Sequence, residues 1–286
     1  MKNSATLFDI NAYTPAEMAR RVEQAGVGKA RLDFLTTLAL AVLAGAFIAM
    51  GAVFYTFVVH DSTFSLGFTK LLGGLVFCLG LILVIVAGAE LFTGNSLIVM
   101  AYVSGDVSFL RLIRNWGIVY IGNFIGALVV VFLMYYSGHW ENSGIAAKAL
   151  LIANNKVNLT FVEAMTRGIL CNVLVCLAVW LCFAGRSVTD KILAILFPIT
   201  AFVALGFEHS IANMYFIPAG LLLSGNTTVV TAASVAAGNA VDLSQLTIGG
   251  FLLQNLLPVT LGNIIGGGVL VGLVYWFVYL RQRQTG

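Results

Sequence analysis

Six stretches free of any charged residue dictate what this chain can become: Phe34–Val59, Leu71–Ala89, Asn115–Ser137, Gly168–Gly185, Ile192–Phe207 and Leu243–Leu280. Most approach or exceed the roughly 18–20 residues that cross ~30 Å of hydrocarbon as a helix. Lipid cannot hydrogen-bond the backbone, so only helices or closed barrels can span it. The alternating apolar-polar pattern of a barrel is absent. The chain is read as an all-α membrane protein with six transmembrane helices. Its 60% hydrophobic and 9% charged residues are far from the balance of a soluble domain.

Before the first stretch, Thr14-Pro15-Ala16-Glu17 has the form of a helix start: a Thr cap, a Pro in the first turn and a Glu closing a capping box. Met18, Val22 and Ala25 follow at helical spacing, which predicts a short amphipathic helix lying on the cytoplasmic side. No cleavable signal is expected, since the first thirty residues carry charges of both signs and no apolar core. Lys2, Arg20, Arg21, Lys29, Arg31, Arg111, Arg114, Arg186, Lys191, Arg281 and Arg283 fall on one side of the six spans. Only Lys70, Lys148 and Lys156 fall on the other, which puts both termini in the cytoplasm. This bias accounts for the net charge of +3, leaving no reason to expect nucleic acid as a partner. Cys78, Cys171, Cys176 and Cys182 all lie within spans, without a CxxC pair or a His at ligand spacing. They read as apolar filling.

The chain repeats itself. Asn115, Gly122, Asn123 and Gly126 recur as Asn255, Gly262, Asn263 and Gly266, at a constant offset of 140. Gly88-Ala-Glu90 and Asn95 recur as Gly206-Phe-Glu208 and Asn213, at an offset of 118, with a polar loop near Ser224–Asp242 taking up the difference. Each half holds three spans, and an odd number turns the second half upside down, the inverted-repeat plan of many transporters. The segments are 1–32 for the N-terminal helix, 33–137 for the first repeat, 138–157 for an outer loop, 158–280 for the second repeat and 281–286 for a cytoplasmic tail. Thr69–Ala101 and Lys191–Leu223 each run 33 residues, ~50 Å as straight helix, too long for one crossing. Each carries a Gly and a polar cluster near its centre, so the second and fifth spans are expected to be broken. Glu90 and Glu208, with Asn95 and Asn213, then serve as scaffold, the carboxylates accepting hydrogen bonds from freed backbone amides.

Where the halves disagree, scaffold needs no longer explain the residues. Leu91 stands opposite His209, and Thr93 opposite Ile211. A solute path runs through the two halves once, so unmatched polar residues are its candidates. A lone His among apolar residues is often merely a satisfied buried group; asymmetry inside a repeated motif argues for function. Asn172, an amide within the fourth span, joins His209 and Thr93. His60 and His139 fall in outer loops.

Leu91-Phe92-Thr93, Cys171-Asn172, Gly206–Met214 and Pro258–Gly268 together resemble the formate/nitrite transporter family, closest to its formate channel branch. The likeness extends over nearly the whole chain, including Phe8-Asp9 and Arg186-Ser187. It implies an aquaporin-like fold, a homopentamer with one pore per protomer, and a bacterial inner membrane. It implies an outer constriction at Phe77, Leu81 and Phe202, and an inner one at Leu91, Phe92 and Val175. Thr93, Asn172 and His209 would line a chamber between them, and Lys156 would attract anions at the outer mouth. Two departures stand out. Thr93-Gly94-Asn95 reads more like nitrite-transporting relatives, and Arg167 sits where a formate channel often has an apolar residue. On a helical wheel Arg167 lies ~140° from Asn172, which directs it to a neighbouring helix.

A small anion meets a very large dehydration cost at an apolar ring, and protonation by His209 would let a weak acid pass uncharged. The expected substrates are formate and, alternatively, nitrite or hydrosulfide. A water or glycerol channel is disfavoured by the missing Asn-Pro-Ala signatures, since Pro15, Pro198, Pro218 and Pro258 do not follow an Asn. An enzyme built on Glu208 and His209 is disfavoured too. Adjacent helical residues point ~100° apart, and no nucleophile motif, metal set or cofactor fingerprint accompanies them.

Overall fold

The computed structural model describes residues 11–281, so Phe8-Asp9 and the end of the tail lie outside the described residues. Helix α1, Pro15–Arg31, starts with the expected capping box: Glu17 N–H donates to Thr14 Oγ1, and Thr14 N–H donates to Glu17 Oε2 at 2.8 Å. It buries Met18, Ala19, Val22, Gly26 and Ala30. Asp33 caps α2, Phe34–Val59, by accepting from Thr36 N–H at 3.0 Å. The second span is two pieces, α3, Leu66–Ala87, and α4, Phe92–Val103. Gly88 separates them at φ +80°, a left-handed turn that a residue with a Cβ adopts only with strain. Then comes α5, Phe109–Tyr136.

The second half repeats this plan. The fourth span is α7, Phe161–Cys182. The fifth is α8, Val188–Ala204, and α9, Ser210–Leu223, with Gly206 at φ +71° between them. The last span is α11, Gly250–Tyr279. Its turns widen to i→i+5 over Gly250–Leu256 and Ile265–Leu273. Pro258 follows the first of these and offers no N–H to the preceding turn. Among the described residues five helices are long and apolar enough to cross a bilayer, α3 of the broken second span among them, and the bent pair Ser210–Leu223 and Thr227–Ala237 together makes a sixth. Leu133, Phe197 and Tyr136 stay exposed on the outside, while Glu90, Glu208 and His209 are buried. That inversion of the soluble pattern marks a multi-pass membrane protein.

Two segments differ from expectation. The stretch 138–157, read as an outer loop, contains α6, Ser143–Val157. Asn142 caps it through Gly144 N–H at 3.0 Å, and Ala146, Leu150, Ala153 and Val157 are buried at helical spacing. It is too short and too charged to register as a span, yet it fills a place equivalent to α1. Lys29 and Asp33 match Lys156 and Thr160 at an offset of 127. The polar loop near Ser224–Asp242 contains α10, Thr227–Ala237, folded back by 114° from α9.

The repeated glycines set close helix approach. A Cβ on Gly126 would lie 2.0 Å from Val42 O, and one on Gly266 2.2 Å from Ile169 O. So α5 presses on α2, and α11 on α7, in the same manner.

Candidate functional site

At each break the freed backbone groups find the same partners. Glu90 N–H donates to Leu40 O at 3.2 Å, and Glu208 N–H to Arg167 O at 3.3 Å. Phe92 N–H donates to Asn123 Oδ1 at 3.0 Å, and Ser210 N–H to Asn263 Oδ1 at 2.9 Å. The amide of Asn123 donates back to Ala41 O at 2.7 Å and Glu90 O at 2.9 Å. That of Asn263 donates to Gly168 O at 2.8 Å and Glu208 O at 3.0 Å. One buried Asn per half therefore satisfies three backbone groups, as water-free surroundings demand.

The carboxylates do something other than the expected capping of amides. Glu90 Oε1 accepts from Lys29 Nζ at 2.6 Å and Glu208 Oε1 from Lys156 Nζ at 2.8 Å. Their second oxygens accept from Asn95 and Asn213, each at 2.7 Å. Asn95 also donates to Asn115 Oδ1 at 2.9 Å, and Asn213 to Asn255 Oδ1 at 2.7 Å. Asn115 and Asn255 close each circuit on the backbone of the same lysine, Lys29 O at 3.2 Å and Lys156 O at 2.9 Å. Sequence reasoning did not single out Lys29, Asn115, Asn123, Asn255 or Asn263 for this work. The four Asn were visible as the repeated landmarks; Lys29 becomes visible once α6 is matched to α1.

Among these matched circuits, His209 has no counterpart. It caps α9, its Nδ1 accepting from Ala212 N–H at 3.1 Å. Leu91 at the equivalent place provides no side-chain cap for α4. Since Nδ1 accepts, the ring proton lies on Nε2, which donates to Thr93 Oγ1 at 2.9 Å. A proton on Nδ1 would displace the Ala212 amide. The imidazole also lies 5.9 Å from the Phe202 ring, which meets Phe77 edge-on at 5.7 Å.

His209 borders two voids. One is a vestibule of about 250 Å³, whose wall also includes Lys70, Phe77, Lys156, Arg167 and Phe202. The other is a chamber of ≈ 10 Å³ walled by Ile48, Phe77, Leu81, Leu91, Val175, Ile199 and Phe202. That is about the room of one water. Other residues expected at the pore lie differently. Asn172 is fully buried, and its amide donates to Thr93 O at 3.2 Å, Ser96 Oγ at 3.3 Å and Asn263 O at 2.6 Å. It ties the first break to α11 and borders neither void. Gly267 makes room for it, because a Cβ there would lie 2.3 Å from Asn172 Nδ2. Phe92 turns away from the chamber, packing edge-on against Tyr120 at 4.8 Å and Trp116 at 6.1 Å. Arg167, expected against a neighbouring helix, lines the vestibule; a 140° separation from Asn172 leads to the vestibule because Asn172 points into the packed interior.

A family model described as formate/nitrite transporter matches residues 16–277. The chain is 48% identical to the formate channel FocA of Escherichia coli strain K12, covering 97% of each. It is 39% identical to the formate channel FocA of Haemophilus influenzae, over 92% of this chain and 93% of that one. Among solved structures, a pentameric formate channel with formate bound superposes with a TM-score of 0.78 at 42% identity, covering 87% of this chain and 98% of that chain. An FNT family ion channel does so at 0.77 and 28% identity, covering 91% and 98%.

Proposed function

This chain belongs to the formate/nitrite transporter family, and from that premise we propose that it conducts formate through one pore per protomer. The similar pentameric channel supports a homopentamer. The Escherichia coli and Haemophilus influenzae relatives support a bacterial inner membrane, and the lysine and arginine bias supports both termini in the cytoplasm, so that the vestibule beside Lys156 opens outward. No enzymatic step is part of this reading, and it calls for no cofactor or metal.

One observation carries it: the His209 imidazole stands between a polar vestibule and an apolar chamber, with Thr93 on its Nε2. A bare anion does not cross the ring formed by Phe77, Leu81 and Phe202 on one side and Leu91 and Val175 on the other, because dehydration costs too much. A neutral ring does not give up its only proton to the anion of a weak acid. The remedy is a second proton: Nδ1 takes one up from water in the vestibule at the expense of the Ala212 cap, and the anion's charge stabilises the imidazolium so formed. Nδ1–H then passes its proton to a carboxylate oxygen, Nδ1 again accepts from Ala212 N–H, and formic acid crosses uncharged while Nε2 keeps its own proton. Thr93 orients Nε2 throughout, and Asn172 holds the backbone of Thr93. Phe92, outside the chamber, backs the wall by packing on Tyr120 and Trp116.

In proteoliposomes, His209→Phe should abolish the dependence of formate flux on pH across roughly pH 5 to 8, while vesicles with the unaltered protein retain it. Flux of the variant that follows pH as before would end the proton-lending role. Nitrite is the second reading, favoured by Gly94 after Thr93, and hydrosulfide the third; parallel flux assays with the three anions rank them.

A further inference from the structure

The lysine expected to gather anions is already engaged. Lys156 Nζ is 2.8 Å from Glu208 Oε1 and 5.3 Å from the centre of the Phe216 ring. Seen from the vestibule, this pair is close to neutral. Two further cations share the same wall, Lys70 and Arg167. Among the described residues neither side chain makes a hydrogen bond or ion pair. The carboxylate whose field reaches Arg167 is Glu163, one turn earlier on α7. Both Glu163 Oε2 contacts are taken by Thr160, at 2.9 and 2.8 Å. Lys70 sits in the field of Lys148 and Lys156, so it adds positive potential and has no partner.

The repeat isolates Arg167 as it isolates His209. Its carbonyl receives Glu208 N–H, and the matching contact in the first half is made by Leu40. Only the backbone is needed for that bond, so an apolar side chain suffices and the guanidinium is surplus to the scaffold. The same bond anchors Arg167 against the residue that precedes His209. A guanidinium keeps its charge at every working pH and offers a planar fork that matches a carboxylate.

We propose that Arg167 is the carboxylate-receiving group of the vestibule, holding the incoming anion in two-point contact before it reaches His209. The inference rests on the formate reading. Capture and protonation are then separate: Arg167 sets how much formate is needed, and His209 sets the response to pH.

The test measures flux against formate concentration for the full-length protein in proteoliposomes. Arg167→Leu should raise the half-saturating formate concentration about fivefold at low salt, with the limiting flux and its pH profile kept. Arg167→Lys should fall between, and the difference should shrink at high ionic strength. Arg167→Gln, similar in reach and polar, gives the same readout should the leucine variant fail to assemble. Half-saturation in both neutral variants equal to that of the unaltered protein overturns the inference and leaves the formate reading standing. Absence of formate flux through the unaltered protein overturns both.

Discussion

The break between α3 and α4 and the break between α8 and α9 are built from the same parts, yet only one carries an imidazole. In both, a buried glutamate joins a lysine at 2.6 or 2.8 Å. In both, one Asn takes a freed amide and returns two hydrogen bonds to carbonyls. Four departures bear on the voids and their surroundings: Leu91 against His209, Thr93 against Ile211, Leu40 against Arg167, and Gly45 against Asn172. Three of these place a polar group in the second half, and Thr93 of the first half reaches across to His209. Twice the structure solves one problem, satisfying an unwound backbone away from water; once it adds groups which that problem does not require.

If the matched circuits are scaffold, damage to them should be symmetrical. Glu90→Leu and Glu208→Leu each strand a partly buried lysine, and each should cost about 3–5 kcal/mol of stability, read as a lowered Tm in detergent. Glu208 Oε2 also accepts from Asn255 Nδ2 at 3.2 Å, a contact without a match at Glu90 among the described residues. Only a difference well beyond one hydrogen bond, about 1 kcal/mol, would therefore mean that one carboxylate has a duty the other lacks. Asn123→Ala and Asn263→Ala should follow, each leaving one amide and two carbonyls short at about 1–3 kcal/mol, again alike in both halves. The smallest effect comes from the asymmetric position. Thr93→Ile, which copies Ile211, removes one neutral hydrogen bond worth about 1 kcal/mol. It should scarcely move Tm while altering the pH profile of formate flux. A profile identical to that of the unaltered protein would show that Thr93 does not orient the imidazole.

Much of this plan is legible from residue types in order. The glycines at 88 and 206 announced the breaks, and both have the left-handed φ that such a turn needs. The Thr14 capping box is a contact within four residues and is present as read. What escaped was contact at a distance. The carboxylates were expected to cap amides, but Lys29 reaches Glu90 across 61 positions and Lys156 reaches Glu208 across 52, and an ammonium outcompetes a backbone N–H for a carboxylate. Asn172 was expected beside the pore; its helix turns it instead into the seam that Gly267 leaves open. Helix α6 was missed because a half-buried helix with Lys148 and Lys156 lacks the hydropathy of a span.

By itself, the order of residues determined the crossings, the inversion and the two interruptions. Hydropathy sums along a continuous segment, and a repeated pattern needs no knowledge of where side chains point. Tertiary structure alone decided which lysine neutralises which glutamate, which asparagine holds which amide, and that Arg167 looks into the vestibule. Those outcomes depend on helices brought together from far along the chain and on the rotation of each about its axis, which hydropathy leaves undetermined.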